Sequence, residues 1–368
     1  MEQEFRFADR LGPEKIVHLY EPASGLMAVV VIDNTACGPA IGGVRMAPDV
    51  TTEECFRLAR AMSFKNAAAG LAHGGGKSAI VANPAAPRAV KERLIRMFAR
   101  AIADLAEYIP GPDMGTDETC MAWIHDEIGR ATGLPPELGG IPLDRVGATG
   151  FGLAAAAAVA AEHVGLALGG ARVAIQGFGA VGKHAARFLA EQGALLVAAS
   201  DTRGTLVDAG GIDVAALIKV KDQGGSVVDY ASGQKLAADA IIGVACDIWI
   251  PAARPDVIRR ENVDRLQARL VLQGANIPIT EEAEAFLHAR GVVSVPDFIA
   301  NAGGVICAAV EYRGGTEAAA FALIGERIRA NTAEVLKASA ATGAPPRRVA
   351  LEMAERRILT AMSFRRSA

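Results

Sequence analysis

Residues 171–201, ARVAIQGFGAVGKHAARFLAEQGALLVAASD, constrain the fold more than any other stretch of the chain. Val173 to Gln176 is an apolar run of strand length, Gly177-Phe178-Gly179-Ala180-Val181-Gly182 fits the GxGxxG spacing, and a helical pattern follows. A second apolar run, Leu195 to Ser200, ends at Asp201, nineteen residues after Gly182. Together these make a βαβ unit. Each glycine has its own duty: Gly177 permits the tight turn, Gly179 lets the backbone approach a pyrophosphate, and Gly182 lets helix and strand pack closely. The helix N-terminus turns N–H groups and positive potential toward the phosphates. Asp201 stands where an acid accepts hydrogen bonds from the adenosine ribose hydroxyls. The stretch therefore predicts a dinucleotide site made by Gly177, Phe178, Gly179, Ala180, Val181, Gly182 and Asp201. The same carboxylate repels a 2′-phosphate, which favours NAD over NADP, and Arg203 is the nearby group able to receive that phosphate.

The alternation continues through strand candidates at 247–250 (DIWI), 270–273 (LVLQ) and 292–295 (VVSV), with helical stretches between them. Strands spaced by helices predict a doubly wound parallel sheet with ligand sites at the carboxyl ends of its strands. The turns there, Pro251-Ala252-Ala253, Gly274-Ala275-Asn276 and Pro296-Asp297, are expected to face the nicotinamide.

The first 150 residues read differently. Helical patterns fall at about 53–68, 87–106 and 117–131, the last with Thr116 or Asp117 as its cap, and GLPPELGGIPLDRVGATG (133–150) is the natural connection. A chain of 368 residues suits two domains. With 51% hydrophobic residues, 21% charged and a net charge of −3, it suits a globular enzyme and neither a disordered chain nor a nucleic-acid-coating one. The start, MEQEFRFADR, carries acids and no apolar run, and the alanine-rich 153–161 is cut off at Glu162-His163, so a cytoplasmic protein with no membrane partner is expected. Cys37, Cys55, Cys120, Cys246 and Cys307 have no metal-ligand spacing and read as buried thiols, and no metal is expected.

LAHGGGKSAI, residues 71–80, ends like a phosphate-cradling P-loop but lacks its geometry. The position six before Lys77 is Leu71, and Ser78 leads into a short apolar strand stopped at Asn83-Pro84 rather than into a helix. What remains is a lysine on a flexible glycine approach, with room beside the backbone.

Several stretches, in order and spacing, resemble the amino-acid dehydrogenases acting on glutamate, leucine, phenylalanine or valine: GPAIGGVRM, SFKNAAAGLAHGGGKSAI, GPDMGTDETCMAWI, ATGFG, GFGAVG, QGANIPIT and VPDFIANAGGVI. The resemblance implies an N-terminal α/β substrate-binding and catalytic domain over 1–135 and a hinge at 136–149. A doubly wound Rossmann NAD-binding domain follows at 150–315, and C-terminal helices at 316–368 return to the first domain. It implies the NAD-dependent reversible oxidative deamination of an L-amino acid to the 2-oxo acid and ammonia by a homo-oligomer with small-molecule partners only. Lys77 then matches the lysine that activates water, Asp113 the acid that moves a proton at the amino nitrogen, and Lys65, with backbone around Gly42 and Gly43, the binder of the α-carboxylate. Thr149 matches a residue that meets the nicotinamide carboxamide, and Asn276 one beside both cofactor and substrate.

In the glutamate members a lysine precedes the GG of the first motif and a serine stands seven positions after the asparagine of NAGG; Ile41 and Ala308 occupy these places here. A carboxylate buried there without partners costs several kcal/mol. With Val305 also apolar and Gly111 and Ala308 small, the expected substrate has a branched-chain or aromatic side chain, as in leucine and phenylalanine dehydrogenases. The alternatives are a glutamate dehydrogenase-like activity, to which QGANIPIT and the 199–217 stretch are closer, and a non-catalytic NAD-binding sensor.

Overall fold

A computed structural model describes residues 5–365. The readings of MEQEFRFADR, of 1–135 and of 316–368 extend into residues 1–4 and 366–368, which lie outside the described residues. The chain divides into two units: unit 1 runs to Pro142 and adds Val305–Ala320 and the residues from Glu352 on, while unit 2 is Leu143–Gly304 with Phe321–Leu351.

Unit 1 is an α/β sandwich. Its strands are β1 (Lys15–Glu21), β2 (Leu26–Asn34), β3 (Ala40–Ala47), β4 (Gly74–Val81) and β5 (Tyr108–Pro112), in the sheet order β1-β2-β4-β3-β5. Strands β1, β2 and β4 pair antiparallel, whereas β3 lies parallel to both β4 and β5. Helix α1 (Thr52–Ala68) is capped by the Thr51 side chain accepting from the Glu54 N–H. Helix α2 (Arg88–Ala101) stops five residues short of the expected end, and α3 (Glu118–Ile128) is capped by Asp117, whose carboxylate accepts from the Cys120 N–H at 2.9 Å. On one face of the sheet Val30, Ile32, Val44, Met46 and Ile80 pack with Ile95 and Phe98 of α2 and Met121 and Ile124 of α3. On the other, Val29, Val31 and Ala79 pack with Cys55 and Ala59 of α1.

The glycine approach to Lys77 is a strand, contrary to the expectation of a flexible loop. Gly74, Gly75 and Gly76 are buried in β4. A Cβ on Gly75 would lie 2.0 Å from the Ser63 backbone nitrogen of α1, one on Gly74 would lie 1.8 Å from the Asn34 carbonyl oxygen, and one on Gly76 would lie 2.9 Å from the Tyr108 ring. The space beside this backbone is filled by the protein itself, and the glycines permit that approach.

Unit 2 is the doubly wound sheet. It begins with α4 (Leu143–Val146) and α5 (Ala148–His163), and continues with β6 (Arg172–Gln176), α6 (Ala180–Glu191), β7 (Leu195–Asp201), β8 (Gly204–Val207), α7 (Val214–Asp222) and β9 (Gln234–Leu236). Then come β10 (Ile248–Pro251), β11 (Leu270–Leu272), α8 (Glu281–Ala289), β12 (Val293–Val295) and α9 (Asp297–Ala300). The order is β12-β11-β10-β6-β7-β8-β9, parallel from β12 to β7. An antiparallel extension, β8 and β9, escaped the sequence reading. The chain leaves β6 toward β7 on one side and returns to β10 on the other, so the carboxyl ends of β6 and β10 flank the switch point where open α/β sheets bind ligands.

Helices α10 (Gly303–Tyr312), α11 (Glu317–Thr342) and α12 (Pro346–Ser363) complete the chain, and with α12 it returns to unit 1 at Glu352. Among the described residues no helix is long and apolar enough to cross a membrane. Cys55, Cys120, Cys246 and Cys307 are buried, and Cys37 is half-buried.

Candidate active site

Side chains alternate along a strand, and in unit 1 the alternation gathers chemistry on the face that α1 partly covers. The register pairs Ile41 with Gly75 and with Ile109, Gly43 with Gly111, and Val44 with Ser78. Ile41, Gly43, Arg45, Lys77 and Gly111 therefore share one face. Lys77, 5% exposed, reaches Asp113 at the end of β5, with 2.8 Å between Nζ and Oδ2. Gly43 has to be glycine: a Cβ there would lie 2.7 Å from the Asp113 Cβ and 3.0 Å from Lys77 Nζ. Gly42 is equally constrained, since its Cβ would meet the Gly76 carbonyl oxygen at 1.7 Å.

Arg45, which the sequence reading passed over, donates from Nε to the same Asp113 Oδ2 at 2.9 Å and from Nη1 to Glu54 Oε1 at 2.5 Å. Burial pulls the Lys77 ammonium below its usual lysine range against the opposing pull of Asp113, and Arg45 adds to the lowering. Burial pushes the Asp113 carboxyl up, but Lys77 and Arg45 together outweigh it and hold it below the usual carboxylate range. A desolvated ammonium that loses its proton readily, beside an ionised carboxylate able to take one, makes a pair suited to moving protons at a bound substrate. Cys55, whose thiol burial pushes up to about 12, donates to the Lys77 carbonyl oxygen at 3.4 Å and stays neutral.

The expected side-chain pocket assembles in part. Ala308 is half-buried on α10, one turn from Val305, and its carbonyl oxygen accepts from Thr132 Oγ1 at 3.1 Å. A Cβ on Gly111 would sit 3.2 Å from Thr132 Cγ2. Thr132, not singled out from the sequence, thus fills space that Gly111 had been expected to leave open. Ile41 is buried at 4% exposure on the same face as Lys77. The Glu311 carboxylate accepts from the N–H groups of Gly133, Leu134 and Ile141 at 2.7, 3.0 and 2.8 Å, so α10 is bonded to the segment that carries Thr132. Lys65 is half-buried in the last turn of α1.

In unit 2 the GxGxxG glycines divide their labour. Gly177 takes φ +91°, and its Cβ would strike the Ala253 Cβ at 2.6 Å across the switch point, while a Cβ on Gly182 would meet the Gly177 carbonyl oxygen at 2.1 Å. Gly179 has open space where a side chain would be. It is the N-cap of α6 and has no side-chain cap, so the first N–H groups of the helix are left for an anion. These residues fit a dinucleotide pyrophosphate. Ala180 is exposed, Val181 half-buried, and Phe178 is 1% exposed with its N–H bonded to the Ser200 carbonyl oxygen at 2.8 Å, so the Phe178 side chain belongs to the core.

Asp201 is already engaged. It accepts from Arg203 N at 3.0 Å and Ser226 Oγ at 2.7 Å on Oδ1, and from Lys221 Nζ at 2.7 Å and Val227 N at 2.9 Å on Oδ2. Burial pushes its carboxyl up, but these donors, Lys221 foremost, pull it down to about 2. Arg203 is bound to the Asp229 carboxylate through both terminal nitrogens, at 2.6 and 3.0 Å.

Thr149 sits inside the first turn of α5, whose N-cap is Gly147, and its Oγ1 would be 3.2 Å from a Cβ on Gly304. Asn276 is exposed, with Oδ1 accepting from Asn301 Nδ2 at 3.1 Å. The next residue, Ile277, is held at φ +46° by an N–H bond to Asp297 Oδ2 at 2.8 Å. A β-branched residue there is strained, and such strain gathers at functional loops.

Comparison with known proteins identifies the family. Residues 13–130 match the Glu/Leu/Phe/Val dehydrogenase dimerisation domain, and residues 139–366 match Glutamate/Leucine/Phenylalanine/Valine dehydrogenase. Glutamate dehydrogenase from Aeropyrum pernix is 43% identical over 76% of this chain and 70% of its own length, and NADP(+)-dependent glutamate dehydrogenase from Pyrobaculum calidifontis is 42% identical with the same coverage. Among solved structures, hetero-hexameric glutamate dehydrogenase from Thermus thermophilus in a Leu-bound form superposes with a TM-score of 0.85 at 29% identity, covering 97% of this chain and 91% of that one. L-tryptophan dehydrogenase from Nostoc punctiforme superposes with a TM-score of 0.77 at 25% identity, covering 98% and 99%. This chain is an amino-acid dehydrogenase of the glutamate/leucine/phenylalanine/valine family.

Proposed function

We propose that the protein catalyses the reversible oxidative deamination of an L-amino acid with an apolar side chain, using Lys77 as base and Asp113 as proton carrier. The supporting observation is the buried Lys77–Asp113 contact at 2.8 Å on a face that also carries Ile41, Arg45, Gly43 and Gly111. The bound nicotinamide supplies the hydride acceptor for the substrate Cα. Asp113 takes and returns a proton at the substrate nitrogen. Neutral Lys77 takes a proton from water as the water oxygen bonds to the imine carbon and passes it to solvent; Asp113 returns its proton to the nitrogen, and the C–N bond breaks to release ammonia as Lys77 takes the remaining hydroxyl proton and the carbonyl forms. Lys65 and the backbone at Gly42 and Gly43, over which the β3–β4 pairing passes, hold the α-carboxylate. Thr149, Asn276 and the Gly177–Gly182 turn serve the cofactor, and Asn276 also serves the substrate.

The apolar preference rests on Ile41, Val305 and Ala308, none of which can pair with a distal carboxylate. Glutamate is the second reading, favoured by relatives 42–43% identical that are named glutamate dehydrogenases. The cofactor is proposed to be NAD, and Lys221 on Asp201 weakens the repulsion that would bar a 2′-phosphate. The match to a dimerisation domain supports a homo-oligomer. Absorbance at 340 nm with NAD or NADP and a panel of L-amino acids tests the reading: leucine, valine or phenylalanine should outrun glutamate, and a glutamate rate equal to the best of them would replace the apolar reading with the second.

A further inference from the structure

Arg45 has no part in the chemistry described so far, yet it shares an oxygen with the reacting pair. Its Nε lies 2.9 Å from Asp113 Oδ2, the atom that Lys77 Nζ approaches to 2.8 Å, and its side chain is 16% exposed. Two cations on one oxygen stand within about 6 Å of each other, and in partly buried surroundings they repel by several kcal/mol before any compensation. Arginine does not lose its proton in proteins. The strain of crowding two positive charges onto one carboxylate is therefore relieved only when Lys77 becomes neutral, while Asp113, keeping a permanent cation, is ionised in the resting pair and ready to take the substrate's proton.

The remaining groups around Lys77 do not take over this part. Glu54 on α1 holds the far end of Arg45 at 2.5 Å, and Cys55 on the same helix is a neutral thiol. Tyr108 on β5 is buried, pushed up by that burial, and bonded to Ser78 and the Gly42 carbonyl oxygen. Asp33 on β2 is taken by Arg60 and Ser63 of α1, and Lys65 lies further along that helix.

We propose that Arg45 is a positioning residue that acts through Asp113, fixing the carboxylate as the ionised member of the pair and Lys77 as the member that releases its proton. The inference rests on the reaction proposed above. It predicts that the ascending limb of kcat/KM against pH, in the deamination direction, reports Lys77 deprotonation under the influence of Arg45.

The experiment compares wild type with Arg45→Gln, Arg45→Lys and Glu54→Gln. Arg45→Gln removes a neighbouring cation, so the proton is held more tightly and the limb should move to higher pH by about one unit. Arg45→Lys should bring it back toward wild type. Glu54→Gln removes the anion that offsets Arg45, so its limb should move to lower pH. An unmoved limb in Arg45→Gln, whatever happens to its melting temperature, overturns the proposal and leaves Arg45 a tie between β3 and α1. Should Arg45→Gln not fold, Glu54→Gln decides alone: an acid displacement supports the proposal and an unmoved limb refutes it. If no amino acid supports turnover, the proposed reaction fails, but the Arg45 inference is still read by acetic anhydride labelling of Lys77 across pH, quantified by peptide mass spectrometry. Labelling that needs higher pH in Arg45→Gln than in wild type upholds it, and coincident curves overturn it.

Discussion

Gly43→Ala perturbs the pair without substituting either member. The new methyl would stand 2.7 Å from the Asp113 Cβ, 3.0 Å from Lys77 Nζ and 3.0 Å from the Pro112 carbonyl oxygen. Carbon atoms in contact prefer about 3.5–4.0 Å, so something must retreat by roughly 1 Å. Lys77 can swing at its far end, but the Asp113 Cβ and the Pro112 carbonyl belong to the same short segment of backbone, so the carboxylate is carried away from the ammonium. Overpacking of this kind costs about 1–3 kcal/mol, a fall in melting temperature of a few to about 10 °C for a domain of this size. A displacement of about 1 Å in a catalytic group costs on the order of 100-fold in rate. The variant should therefore stay folded and lose about 100-fold in kcat, measured at 340 nm beside a thermal melt. Gly169→Ala, where a Cβ meets nothing within 4 Å, is the control and should change neither quantity. A folded Gly43→Ala protein with kcat within a few-fold of wild type would show that the Lys77–Asp113 contact is not the reacting geometry.

The dinucleotide turn separates binding from stability. Gly179→Ala should leave the melting temperature unchanged and weaken NADH binding about tenfold or more by fluorescence, because the methyl enters open space beside the α6 N-terminus. Gly182→Ala should lose about 1–3 kcal/mol of stability in urea, because its methyl would strike the Gly177 carbonyl oxygen at 2.1 Å. Asp201 is held down at about 2 in the fold, below its unfolded value near 3.8, so its stabilisation is complete above pH 4 and is lost as pH falls toward 2. Asp201→Asn should flatten the decline of unfolding midpoint over that window, and a slope equal to wild type would contradict the four-donor arrangement. Ala308→Leu should penalise phenylalanine more than valine by about 1–3 kcal/mol in kcat/KM, since the added volume overpacks the proposed side-chain site. An unchanged ratio would place the pocket elsewhere.

The βαβ unit was legible in the sequence because its constraints are local: Gly177 and Gly182 answer to their own turn and helix, and Asp201 to its own strand end. The parallel strands at Ile248–Pro251, Leu270–Leu272 and Val293–Val295 were legible for the same reason, as short apolar runs between turns. The glycines before Lys77 misled, because what makes them necessary is tertiary. Ser63, Asn34 and Tyr108 press against them from distant parts of the chain, and the sequence alone offered only flexibility as a reason for three glycines. Arg45 stood in a quoted motif, but its worth lies in sharing an oxygen with Lys77, a partnership 32 and 68 positions away that no spacing announces. Asp201 was identified by position, while its saturation by Lys221, Ser226 and Val227 depends on the fold of the α7 segment.

The central claim is that Lys77 performs the chemistry and takes no part in holding the dinucleotide. It is tested most directly by Lys77→Ala, with turnover followed at 340 nm on the best amino-acid substrate and NADH binding followed by fluorescence on the same preparation. The account predicts a loss of kcat of at least about 1,000-fold, beyond the usual general-base contribution of about 100- to 10,000-fold at its lower end, with the NADH dissociation constant unchanged. Turnover within tenfold of wild type, or a loss of turnover matched by an equal loss of NADH binding, would contradict it.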